Sequence, residues 1–248
     1  PVADIKNHRI LAINRGEKEG YLRVKLGIDK AFGGRVCMAA FVKEGSIFTP
    51  YVEAACADAY ERLIAPSIER EVRNTLTDAA NEQAIKMFEV NLRPLLMQPP
   101  IRDKVTLGWD PAYRTGCKLA VVDETGKVLD KTVIYPTMPQ NKVEEGKAVV
   151  RKLIAKYGVQ VISIGNGTAS KESEIIVSDL VREYNGKVAY MVVSEAGASV
   201  YSASKLGAEE FPDYDVSERS AVSIARRLQD PLAELIKIDP KSIGVGQY

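Results

Sequence analysis

The sequence predicts an α/β domain built on a mixed sheet, preceded by a helical region and a small β region. Three observations carry this. From residue 104 the chain opens with three closely spaced apolar runs, at 105–109, 117–122 and 127–135. After them, helical patterns alternate with two further apolar runs, VQVISIG at 159–165 and VAYMVVS at 188–194. Before them, residues 49–92 repeat apolar side chains at three-four spacing between prolines.

The N-terminal 48 residues read as the small β region. RILAIN at 9–14 and YLRVKLGI at 21–28 form two candidate strands, and Leu22, Val24, Leu26 and Ile28 alternate with period two. RGEKEG between them reads as a turn, and the glycine pair at 33–34 and KEGS at 43–46 as breaks. The helical region spans 49–103. Thr49 is placed as an N-cap before Pro50, and Val52, Ala55, Cys56, Ala59, Tyr60, Leu63 and Ile64 share one face. Pro66 is expected to break or restart that helix, and a second helix to run from Ser67 towards Leu92 and end near Pro94. QPP at 98–100 marks the boundary to the sheet domain, which occupies 104–233.

In that domain Asn141 is expected to open a helix with Glu144 three residues on, a capping-box spacing. Val143, Val150, Leu153, Ile154 and Tyr157 give the helix its apolar face, and Gly158 stops it. SERSAVSIARRL at 217–228 forms the last long helix. Three early strands followed by alternating helices and strands is the RNase H-like order.

The formal net charge is +1, with 15 basic and 14 acidic residues in 1–103 and 19 of each in 104–248. No bulk attraction to nucleic acid follows, so any such surface has to come from basic groups folded onto one face. The three cysteines, Cys37, Cys56 and Cys117, form no CxxC pair, which supports neither a zinc site nor a disulfide framework and points to a reducing cytoplasm. No apolar run reaches membrane-spanning length and no signal peptide opens the chain. The chain starts at Pro1 and stops at GVGQY, and is read as a piece of a longer protein.

Asp110 and Glu195 are the chemical candidates, each placed where an apolar strand ends. Adjacent strand ends can bring carboxylates together, and two or three of them would hold one or two Mg²⁺ ions for phosphodiester chemistry. Each acid also has a plain structural reading, Asp110 as a turn cap before Pro111 and Glu195 as a carboxylate facing a helix dipole. IGNGTAS at 164–170 reads first as a tight turn with Ser170 as N-cap. Its backbone amides are a weaker phosphate-binding candidate, since Walker and dinucleotide spacings are absent. Arg114, Arg219, Arg226 and Arg227 are the candidate nucleic-acid contacts. A histidine-based triad would have to use His8, the single histidine, and Trp109 is read as a packing residue.

HRILAINRGE (8–17), APSIERE (65–71), DPAYRTGCKLAVVDETGKVLD (110–130), IGNGTAS (164–170), SEAGASVYSAS (194–204) and SIARRLQDPLAELIKIDPKSIGVGQY (223–248) together resemble the Tex family of bacterial transcription accessory proteins. The resemblance implies a cytoplasmic protein that binds RNA or DNA and influences transcription. Its central YqgF domain would be RNase H-like and related to Holliday-junction resolvases. Residues 234–248 would then begin a truncated helix-hairpin-helix region. Nucleic acid would be held mainly through domains outside this chain, with the transcription machinery as a further partner and no membrane. By the same resemblance Asp110 matches the first acid of a resolvase and Glu195 a later one. Ser220 stands where a resolvase has an aspartate, with Glu218 two residues before it, and Asn166 stands near the place of a strand-end glutamate. Three readings stay open at this point. One is a scaffold with a non-catalytic RNase H-like domain. Another is a Mg²⁺-dependent nuclease in which Glu218 or Asp215 completes the acid set. The last is an actin-like nucleotide binder using Asp110 and Gly165–Gly167.

Overall fold

A computed structural model describes residues 1–27 and 30–244, which fall into two compact units, 1–89 and 90–248. Among the described residues no helix is long and apolar enough to cross a membrane.

The first unit is helical throughout, which corrects the expected β region. Helix α1 (Asn7–Lys18) takes in RILAIN and most of the supposed turn; α2 (Lys30–Phe41) contains both Gly33 and Gly34. Periodicity missed α1 because its inward face is largely polar. Asn7, Ile10, Asn14 and Glu17 recur at three-four spacing; Ile10 is buried, and the other three meet Gln83, Thr77 and Arg73 of α4 (Ala65–Leu96). Residues 21–27 form no strand. Two of their amides find carboxylates instead of a neighbouring strand: Val24 N–H donates to Glu17 Oε1 at 3.3 Å and Leu26 N–H to Glu69 Oε1 at 3.0 Å. Ile28 lies outside the described residues.

Helix α3 (Thr49–Ala59) holds Pro50 in its first turn, as the sequence implies. Thr49 sits inside the helix, and its hydroxyl donates back to the Lys43 carbonyl at 2.7 Å. Pro66 does not break the helical run. The preceding turn, Tyr60–Ile64, is a π-helix in which Ala65 N–H reaches the Tyr60 carbonyl. That wider turn makes room for a ring that has no N–H and would collide with the carbonyl four residues earlier. Pro94 likewise lies inside α4.

In the second unit, β1 (Thr106–Asp110), β2 (Cys117–Val122), β3 (Val128–Ile134), β4 (Val161–Gly165) and β5 (Ala189–Val193) make one sheet in the order β3-β2-β1-β4-β5. β1–β2 and β2–β3 are antiparallel hairpins; β1–β4 and β4–β5 are parallel. This is the RNase H-like arrangement that the sequence predicts, with each strand within two residues of its expected bounds. Helices α5 (Val143–Tyr157) and α6 (Ser170–Arg182) cover one face of the sheet. Leu107, Trp109, Leu119, Ile162 and Ile164 there meet Val150, Leu153, Ile154, Val177 and Leu180. Trp109 is a packing residue, as expected, and its Nε1 donates to Ser173 Oγ at 3.2 Å.

Helix α9 (Val216–Gln229) covers the other face, where the sheet offers small side chains. Gly108, Ala120 and Ser163 lie under Ala221, Ala225 and Ile224, and Ser163 Oγ donates to the Ile224 carbonyl at 2.7 Å. Such close packing of helix on sheet excludes water from the middle of β1. Short helices α7 (Ala198–Ala203), α8 (Lys205–Glu210) and α10 (Pro231–Leu235) flank α9. Two expected caps are corrected. Asn141 lies before α5 with φ 51°, and the N-cap position is Lys142. Ser170 is the first residue of α6, after Ala169 with φ 61°. Gly158 ends α5 in the left-handed conformation, as read from the sequence.

Candidate carboxylate site

The parallel arrangement of β1, β4 and β5 brings three strand ends together at one edge of the sheet. β1 ends in Asp110. β4 ends in Gly165, followed by Asn166 and Gly167. β5 is followed by Ser194 and Glu195. The first turns of α9 add Ser220 from the covering layer. A sheet of this topology delivers these side chains to one place whatever the loops between them do.

Asp110 is largely enclosed, and burial pushes its carboxyl up to about 6. The Ser220 hydroxyl facing it acts in the opposite direction, the negative charge of Glu195 adds to the rise, and Lys118 lowers it slightly. Lys118 pairs with Asp110 across β1–β2, but its ammonium is turned to the carbonyls of Thr115 and Gly116, at 2.7 and 2.9 Å.

Glu195 is fixed from several sides. Its backbone N–H donates to Asn166 Oδ1 at 3.0 Å. Its carboxylate lies over the β4–α6 turn. A Cβ placed on Gly165 would stand 2.6 Å from Glu195 Oε2 and 3.2 Å from Pro111 Cδ, and a Cβ on Gly167 would overlap Oε1. The glycines of IGNGTAS therefore make room for a carboxylate of the chain itself. Negative charge already occupies this turn, which counts against the phosphate-binding and nucleotide-binding readings of it. The two glycines were the available signal, read for the wrong anion.

The acids weighed as a third carboxylate are committed elsewhere. Asp215 caps α9 by accepting from Glu218 N–H at 2.8 Å, and Glu218 closes the capping box on Asp215 N–H at 2.9 Å. Glu218 also pairs with Lys131 of β3 at 2.6 Å. Asn166, in the place the resemblance gave to a glutamate, spends its oxygen on Glu195 N–H. Among the described residues no group of three or more His, Cys, Asp or Glu side chains converges to hold a metal. Two carboxylates and a hydroxyl do not fit a two-metal centre, which needs anionic oxygens to bridge and flank both ions.

The arginines do not gather into a basic face. Arg114 is exposed on the β1–β2 turn. Arg219 donates to the carbonyls of Phe211 and Ser202 at 3.0 and 3.2 Å. Arg226 donates to Gly126 O at 2.7 Å and pairs with Glu210. Arg227 is only 3% exposed and donates to the carbonyls of Ser194 and Ala196 at 2.9 and 2.8 Å. The expectation that Arg227 meets phosphates is therefore corrected, because no phosphate reaches a side chain under the sheet edge. Sequence placed Arg226 and Arg227 near a helix C-terminus; only packing shows that α9 is the buried helix.

The geometry of this second unit coincides with a family match. The Tex protein YqgF-like domain matches residues 104–229, and the Tex central region-like model matches residues 1–88. YdcI of Bacillus subtilis (strain 168) is 54% identical over 100% of this chain and 35% of its own length. Transcriptional accessory protein Tex of Neisseria gonorrhoeae is 45% identical over 100% of this chain and 33% of its own length. The human S1 RNA-binding domain-containing protein 1 is 41% identical over 100% of this chain and 26% of its own. The chain thus spans about a third or less of the length of these relatives. A solved Thermus thermophilus RuvC structure aligns with TM-score 0.38 and 21% identity, over 54% of this chain and 98% of that one, a likeness too loose to carry an argument. With two successive Tex models matching the two parts of the sequence and whole-chain identity to a named Tex protein, the chain belongs to the Tex family.

Proposed function

We propose that this chain is the central scaffold of a nucleic-acid-binding transcription accessory protein, and that its RNase H-like domain does not cleave. The observation that carries the second part is Ser220. It presents a hydroxyl to Asp110 where a phosphodiesterase would need another carboxylate, and Asp215 and Glu218 are held in the capping box. A hydroxyl adds no charge to a Mg²⁺ site and weakens both affinity and the clamp on attacking and leaving oxygens. The printed names of the Neisseria and human relatives, a transcriptional accessory protein and an S1 RNA-binding domain-containing protein, support the first part. The balanced charge and the internal bonds of Arg219, Arg226 and Arg227 support a reading in which tight nucleic-acid binding belongs to other parts of a longer protein, with this portion setting their geometry.

The test is a cleavage assay on branched DNA, single-stranded DNA and RNA with Mg²⁺ or Mn²⁺, with Asp110→Asn and Glu195→Gln run beside the wild type. The expected result is the same absence of product in all three. Cleavage that disappears in both variants would establish a metal-dependent nuclease and end the scaffold reading of this domain.

A further inference from the structure

We propose that Arg227 is the built-in counter-cation of the carboxylate site: it holds Glu195 in place and keeps divalent metal out. The inference rests on the non-catalytic reading above and supplies its physical cause.

Arg227 reaches the site from beneath. Its Nη1 bridges the carbonyls of Ser194 and Ala196, the residues on either side of Glu195, so the guanidinium fixes the turn that aims the carboxylate. The rest of the guanidinium is unusual. Nε and Nη2 are buried and have no hydrogen-bond partner among the described residues. Such a group keeps its charge in a poorly screened interior only where carboxylates compensate it. Burial pulls its pKa down, and Glu234 and Glu195 oppose that pull. Glu234 is already held by Ser223 Oγ and Lys237 Nζ, each at 2.8 Å. Glu234 supplies the larger part of the compensation, and Glu195 the part that comes from the carboxylate site. A divalent ion placed on Asp110 and Glu195 would face this fixed positive charge across a medium that screens little. With Ser220 in place of a further acid, only two carboxylates stand against that repulsion, and one of them already faces Arg227.

Arg227 is thus a positioning residue with an electrostatic role, and the two aspects separate experimentally. Mn²⁺ titrated into the whole chain is followed by paramagnetic broadening of backbone amides at Gly108, Gly165 and Asn166. The wild type is expected to show no site-specific broadening at millimolar Mn²⁺. Arg227→Met is expected to gain at least about tenfold in Mn²⁺ affinity (1.4 kcal/mol), and to lose the gain when combined with Asp110→Asn. Arg227→Lys, which keeps the positive charge on a shorter side chain, stays closed to the metal. Wild-type binding at Asp110 and Glu195 below millimolar, or a folded Arg227→Met without the gain, overturns the proposal. Should Arg227→Met fail to fold, Glu195→Gln decides. Leaving the guanidinium uncompensated lowers Tm, and an unchanged or raised Tm overturns the proposal. Wild-type cleavage sinks the non-catalytic reading; a wild type that neither cleaves nor binds, beside an unresponsive Arg227→Met, sinks this inference alone.

Discussion

Asp110 shows what a carboxylate costs when a sheet edge encloses it without a full counter-charge. Its folded-state pKa of about 6 lies above the 3.8 of an ordinary aspartate, so the folded chain binds this proton more tightly than the unfolded one. The sign follows directly: the group costs no stability below about pH 4, and the cost grows through pH 6 and is complete at neutral pH, reaching up to about 3 kcal/mol. Asp110→Asn should therefore raise the Tm at pH 7.5 and lose that advantage at pH 4. Equal effects at both pH values in paired thermal melts would show that burial does not control this group. Glu195 and Gly167 form a second residue-scale pair. Gly167→Ala places a methyl on the carboxylate and is expected to destabilise by about 1–3 kcal/mol. In a Glu195→Ala background the same substitution should cost much less in urea denaturation, whereas an equal cost in both backgrounds would mean that the carboxylate does not lie over the turn.

At the scale of elements, α9 decides the architecture. It lies so close to β1 that a Cβ on Gly108 would collide with the Ala221 carbonyl and stand 2.9 Å from Ala225 Cβ. These atoms belong to the backbone and to a short side chain, neither of which can swing aside. Gly108→Ala should cost about 1–3 kcal/mol or more and slow site-edge amide protection little relative to the centre of β1, where hydrogen exchange should accelerate most. The start of α9 is set by its own sequence: Asp215→Ala removes the cap and should cost about 1 kcal/mol in chemical denaturation. The capping box also ties down Glu218. Its two bonds, to Asp215 N–H and to Lys131, hold it to the helix start and to β3.

For the whole molecule, every buried cluster of the sheet and its covering helices lies within residues 90–248. That stretch is expected to fold when expressed alone, with a single cooperative melt and the same Asp110 titration as the 248-residue chain. Non-cooperative melting of the isolated piece would show that its core needs the preceding residues. Among the described residues the first unit buries few apolar side chains (Ile10, Cys56, Tyr60 and Ala80) and joins α1 to α4 through polar pairs. Polar pairs at a surface contribute little individually, so this unit is expected to exchange its amides faster than the sheet.

The apolar runs of the five strands, the proline and glycine punctuation after residue 104, and the Tex signatures were legible in the sequence, because they are local or survive as contiguous motifs. Asp110 and Glu195 were legible for the same reason, each ending an apolar run. The helical nature of residues 7–18 was not, because the face that meets α4 is polar and leaves no hydrophobic period. Nor were the fates of Arg219, Arg226, Arg227, Asp215 and Glu218. A charged residue on a helix looks the same in sequence whether it faces solvent, a cap or a buried carbonyl. Only the packing of α9 against the sheet decided that Arg227 lies beneath Glu195 and that a hydroxyl faces Asp110, since these contacts join residues from about 30 to more than 100 positions apart.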